Sequence, residues 1–171
     1  MHSALTVGLL IWAVAIAIVD LRHRKIPNVL TLPAALAALA WMGLSGRCMT
    51  GADWPQGLWA GLFGLAVTLP AYAWGKLGAG DAKYLFAIGL LSGWPVTRDT
   101  FVIAAALGVL VALGWWALRN SPWARAVLQP LLPLFRPLTQ GMGKPPDQLY
   151  LPFGTLLSIG FCAELLNRSM K

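Results

Sequence analysis

Long stretches of this chain carry no charge at all. Leu5–Val19, Val29–Leu44, Leu58–Trp74 and Phe101–Leu118 hold neither an acid nor a lysine or arginine. Each run is close to the ~20 apolar residues that carry a helix across a bilayer. A backbone in lipid must satisfy its own hydrogen bonds, so such runs fold as helices. Of the 171 residues, 58% are hydrophobic and 11% charged, against roughly 25% charged in a soluble domain. The expected fold is all-α and polytopic, a single domain over 1–171, with no room for a separate soluble domain.

Six spans are expected. The first is about Leu5 to Val19, with its N-terminus outside. Ala15-Ile16-Ala17 mimics a signal-peptide cleavage site, but the cations follow the run instead of preceding it. Ile26-Pro27-Asn28 stops one helix and starts the next, because proline suits a first turn and not a helix interior. The second span is about Val29–Leu44, the third Leu58–Trp74 and the fourth Asp81–Trp94. Pro95–Thr100 is expected as a turn, followed by spans at Phe101–Leu118 and Leu151–Leu166. Between the last two, 119–150 carries six prolines among apolar residues. It is expected to lie on the membrane surface as an interfacial cytoplasmic segment.

The net charge is +7. Its distribution indicates topology and not nucleic acid. Nine of the 13 lysines and arginines fall in the loops around Asp20, around Asp81 and at 119–150. The positive-inside rule puts those loops in the cytoplasm and both termini outside. Tryptophans near span ends fit the headgroup region, while Trp12 and Trp41 read as packing. Cys48 and Cys162 have no metal-ligand spacing and read as apolar packing. No metal or cofactor is expected, and His23 reads as a solvated loop residue.

Two acids stand apart. Asp20 and Asp81 each border an apolar run, and each is followed two residues later by a cation, Arg22 or Lys83. Acids near the bilayer are costly and mark function. The topology brings both to the cytoplasmic face. Two adjacent carboxylates cannot both carry charge comfortably, so they share a proton. Such a pair can activate a water against a peptide carbonyl and protonate the leaving amine. Gly78 and Gly80, flanking Ala79, offer unusual torsions and close approach before Asp81. Asp20 ends a helix and Asp81 begins one. The helix-end fields therefore place the shared proton on Asp20, with Asp81 as the better base. Arg22 and Lys83 also serve as membrane anchors, and Glu164 caps the outer end of the last span.

These residues form a pattern. Asp20-Leu21-Arg22-His23-Arg24-Lys25-Ile26-Pro27-Asn28 resembles the first signature of type IV prepilin peptidases. Leu77-Gly78-Ala79-Gly80-Asp81-Ala82-Lys83 resembles their second, the GxGD signature of membrane aspartyl proteases. Leu151-Pro152-Phe153-Gly154 resembles the element that opens the family's last span. The resemblance implies a bacterial inner-membrane peptidase that cuts the basic leader from prepilins or pseudopilins after a glycine. It assigns catalysis to Asp20 and Asp81. Arg22, Pro27, Asn28, Gly78, Gly80 and Lys83 become supporting or substrate-binding residues. The chain opens directly on its first span without Cys-x-x-Cys motifs. It therefore resembles the short, peptidase-only form found with Flp/Tad pilus systems, without the N-terminal methyltransferase-type domain. Two other readings compete. One is a small proton-coupled transporter, whose acids belong nearer the bilayer midplane. The other is a non-catalytic membrane assembly factor.

Overall fold

The computed structural model describes residues 2–120 and 152–170. The described residues form α1 (His2–His23), α2 (Asn28–Ser45), α3 (Trp54–Ala73), α4 (Ala79–Ser92), α5 (Trp94–Asn120) and α6 (Phe153–Ser169). The all-α expectation is met. The expected interfacial segment falls mostly outside the described residues; its first residues, Arg119 and Asn120, continue α5.

One boundary differs from the expectation. Pro95–Thr100 is not a turn; it is the start of α5. The chain reverses at Gly93 alone, which has φ 77°. Pro95 then sits in the first helical turn, where its missing N–H leaves no bond unmade.

The surface identifies the solvent. Val7, Ile11, Val14 and Ile18 form an exposed stripe along α1, and Val29, Leu32, Leu36 and Leu39 another along α2. Val102, Val109, Leu113 and Trp116 do the same on α5. Meanwhile Thr31, Thr68, Ser92, Thr97, Thr100 and Ser158 are buried. Apolar stripes outside and hydroxyls inside fit lipid and not water. Three stretches are long and apolar enough to cross a membrane: Ala4–His23, Asn28–Ser45 and Trp94–Ala117. The protein is an all-α membrane protein.

Helix α4 is the centre of the packing, touching α2, α3, α5 and α6. Its 14 residues span only about 21 Å at 1.5 Å each. Tyr84, Leu85, Ala87, Ile88 and Leu90 are wholly buried, as expected of a helix that is apolar all round. Its tightest neighbour is α3, whose buried face is Gly57, Ala60, Gly61, Gly64 and Thr68. Small residues at this spacing let two backbones approach. A methyl group at Gly89 would lie 2.4 Å from the Gly61 nitrogen and 2.5 Å from the Ala60 carbonyl carbon.

On the other flank, Trp12 of α1 donates from Nε1 to the Leu30 carbonyl of α2 at 2.9 Å. Its ring meets Tyr84 edge-on at 5.2 Å. Trp12 is thus packing, as expected, with its one donor satisfied across helices. Cys48 and Cys162 are free thiols. Burial pushes the Cys48 thiol above its usual value, which suits an inert packing residue.

Gly89→Ala is expected to destabilise the protein by about 1–3 kcal/mol through overpacking against α3. Gly108→Ala, where the nearest atom to the new methyl lies at 3.6 Å, is expected to be neutral. Thermal unfolding in detergent micelles checks the contrast.

Candidate active site

Asp20 lies on the buried stripe of α1, in register with Leu9, Ala13 and Ile16. These positions recur at steps of three and four, which is one helix face. The carboxylate is therefore turned inward and is 4% exposed. Arg22 sits about 200° farther round the helix and is exposed. It does not line the site.

Arg24, two residues on, does line it, as do Lys25 and Lys83. The Arg24 N–H closes α1 on the Asp20 carbonyl at 2.8 Å, in left-handed backbone with φ 53°. A non-glycine residue there costs about 1–2 kcal/mol. Such strain collects at functional sites. Burial lowers the Arg24 guanidinium from its usual value, and the charge of Asp20 pushes it back up. Arginine stays charged either way.

Asp81 occupies the first turn of α4, where its Oδ2 accepts the Gly78 N–H at 3.2 Å. This is the side-chain half of a capping box, since Gly78 has no side chain to reciprocate. Gly78 has ordinary extended torsions, φ −78° and ψ 145°. Gly80 is helical. The special torsions anticipated for these two glycines are not used. Close approach is: a methyl on Gly80 would stand 2.9 Å from both the Ile26 carbonyl oxygen and its Cβ. Gly80 therefore lets the α1–α2 turn press against α4.

The two aspartates meet over Gly154. A methyl placed on Gly154 would lie 3.0 Å from Asp81 Oδ1 and 3.1 Å from Asp20 Oδ2. Both oxygens are reached from one point, so they are at most about 6 Å apart, within the span of one bridging water. The separation of the two acids, which the sequence left open, is therefore short.

Helix α6 supplies what the sequence did not reveal. Thr155 donates to Asp20 Oδ2 twice, from its N–H at 2.8 Å and its Oγ1 at 2.9 Å. The N–H is shared with the Pro152 carbonyl at 3.1 Å, and the hydroxyl has a longer alternative in the Ala17 carbonyl at 3.4 Å. One turn on, Ser158 donates to the Gly154 carbonyl and pairs with the Tyr84 hydroxyl of α4, both at 2.9 Å. The first two turns of α6 thus hold α1 through Asp20 and α4 through Tyr84.

A third helix adds donors that the two-helix expectation did not include. A hydrogen bond to a charged group is worth about 1.5–3 kcal/mol, whereas a helix-end field is worth about 0.3–1 kcal/mol. Asp20 has two donors on one oxygen, and its carboxylate also faces the positive N-terminal end of α6. Asp81 has two backbone hydrogen bonds, with Gly78 and with Gly154, and sits in the first turn of α4; only Asp20 has a side-chain donor, the Thr155 hydroxyl.

A cavity of about 480 Å³ opens beside the pair. Asp20, Asp81, Gly78 and Gly80 line it, with Arg24, Lys25, Asn28 and Lys83. Lys83 Nζ donates to Asn28 Oδ1 at 2.9 Å. Two of the supporting residues are therefore joined across 55 positions. Pro27 is exposed and acts locally as the N-cap of α2. Glu164 pairs with Arg168 at 2.7 Å, away from the cavity residues. Among the described residues, no three His, Cys, Asp or Glu side chains gather where a metal could be held.

A family model described as the type IV leader peptidase family matches residues 7–113. That stretch carries Asp20 and Asp81 and ends before α6. A prepilin leader peptidase/N-methyltransferase of Pectobacterium carotovorum subsp. carotovorum is 34% identical over 125 residues. The match covers 68% of this chain and 43% of that protein. One of the same name from Pseudomonas aeruginosa PAO1 is 29% identical over 123 residues, covering 66% of this chain and 40% of its own length. The chain thus spans less than half the length of the curated relatives it matches. No solved structure matched. With the family model extending over more than half of the chain, the protein belongs to the type IV leader peptidase family.

Proposed function

We propose that this protein is a membrane aspartyl endopeptidase that removes the leader of prepilins or pseudopilins at the cytoplasmic membrane face. The observation that carries the reading is the meeting of Asp20 and Asp81 over Gly154, beside an open cavity. The family membership supports it, since the curated relatives are named for prepilin leader cleavage.

In this reading one carboxyl of the dyad is charged and the other holds a proton. The charged one takes a proton from water as the water oxygen attacks the peptide carbonyl. The protonated one gives its proton to the carbonyl oxygen, forming a gem-diol. The first then protonates the leaving nitrogen, the second takes a proton back from a diol hydroxyl, and the C–N bond breaks. Both carboxyls return to their starting states. Only these two side chains move protons.

The charge distribution and the family support the rest of the assignment. The dyad faces the cytoplasm of a bacterial inner membrane, with six spans and both termini outside. Residues 1–171 act as one transmembrane peptidase domain. Lys83 and Asn28 brace the cavity rim, Gly80 sets the helix approach, and the bilayer is the second partner besides the prepilin. The cations of the rim are concerned with substrate or headgroups, not nucleic acid.

Asp20→Ala and Asp81→Ala are each expected to abolish processing of a co-expressed prepilin, by at least about a hundredfold. Retention of the cleaved, faster-migrating band in both variants would sink the proposal. Gly154→Ala puts a methyl between the carboxylates and 2.5 Å from Ile26 Cδ1. It is expected to lower kcat by roughly 10–100-fold, as small misplacements of reacting groups do. Timed cleavage with purified protein in micelles measures it.

A further inference from the structure

Thr155 is buried at 7% exposure and spends two donors on one oxygen of Asp20. Asp81 has backbone partners, the Gly78 N–H on its Oδ2 and the Gly154 backbone, while its Oδ1 faces Asp20 across Gly154. The other charged or titratable groups near Asp20 are few. The α1–α2 turn contributes Arg24 and Lys25, while α4 contributes Asp81, Lys83 and Tyr84. Tyr84 is tied to Ser158. Helix α6 brings no charge to this end among the described residues; it brings Thr155.

We propose that Thr155 is the positioning residue of the dyad: its hydrogen bonds hold Asp20 as the charged partner, so that Asp20 is the base and Asp81 carries the shared proton. This reverses the order set by the helix ends of α1 and α4 alone, because the donors come from a third helix. The assignment of catalytic steps rests on the peptidase reading above. In chemical terms Asp20 takes the proton of the attacking water, and Asp81 protonates the carbonyl oxygen. Thr155 touches neither water nor substrate and acts through Asp20.

Two readouts on the full chain in phospholipid nanodiscs test this. The first is the infrared stretch of the protonated carboxyl, followed against pH. The second is the pH profile of kcat/KM for a synthetic peptide with a short basic leader, a glycine and a following apolar segment. Thr155→Val and Thr155→Ala remove the hydroxyl, and Thr155→Ser keeps it. In the first two, the midpoint of the carboxyl band and the acidic limb of the profile are expected to move up by roughly one pH unit. In Thr155→Ser both are expected to match the parent. The band present at neutral pH is expected to vanish in Asp81→Asn.

Persistence of that band in Asp81→Asn would put the proton on Asp20 and overturn the proposal. So would midpoints of the Val and Ala variants that coincide with the parent, or a Ser variant shifted as far as Val. If the band behaves as expected while the parent protein leaves the peptide uncut, the peptidase reading fails and the coupling of Thr155 to Asp20 stands. If the peptide is cut and no variant moves either readout, the Thr155 proposal alone fails.

Discussion

The Asp20 carboxylate does for α6 what that helix cannot do for itself. The first turn of a helix leaves four N–H groups without partners. The residue before α6 is Pro152, which provides no side-chain cap. Asp20 Oδ2 fills the gap from another helix, 135 positions away, by accepting from the Thr155 backbone and hydroxyl. One interaction therefore joins α1 to α6, gives a carboxyl in an apolar setting its donors, and holds Asp20 beside Asp81. Charges within a membrane protein are tolerated where such donors meet them.

The bond works because α4 is held just as firmly. Glycines and alanines on α3 let its backbone come against Gly89, so α4 has little freedom to slide or rotate. The Tyr84–Ser158 pair then fixes the register of α6 against α4. Asp81, three residues before Tyr84, inherits that register. Packing of small residues in one part of the bundle thus determines a distance between carboxylates in another. Nothing in that region is redundant: Gly154 has room for no side chain, since the space beside it belongs to the two acids.

Several elements were legible because their physics is local. Uncharged runs specified the helices, and the cost of a carboxylate near lipid singled out Asp20 and Asp81. Ile26-Pro27-Asn28 correctly separated α1 from α2. The turn expected at Pro95–Thr100 was read from a proline that instead opens α5, since proline suits a helix start as well as a turn. Arg22 and Arg24 differ by a single turn-closing residue. Which of them reaches the cavity depends on left-handed backbone at Arg24, an unusual conformation with no side-chain signature there. Thr155 gave no signal either: an uncharged hydroxyl in an apolar run looks like packing until its partner is known.

By itself the sequence determined the material of this protein: lipid-facing helices, their approximate ends, the loops that gather positive charge, and two acids at the edges of apolar runs. Those properties depend on residues within one or two turns of each other. Tertiary structure alone decided that a third helix enters the site, that Arg24 and not Arg22 lines the cavity, and that Asp20 meets the Thr155 donors. Each depends on the rotation and register of helices far apart in the chain. Those are set by close packing and by which unsatisfied N–H groups find a carboxylate, and no local pattern encodes them.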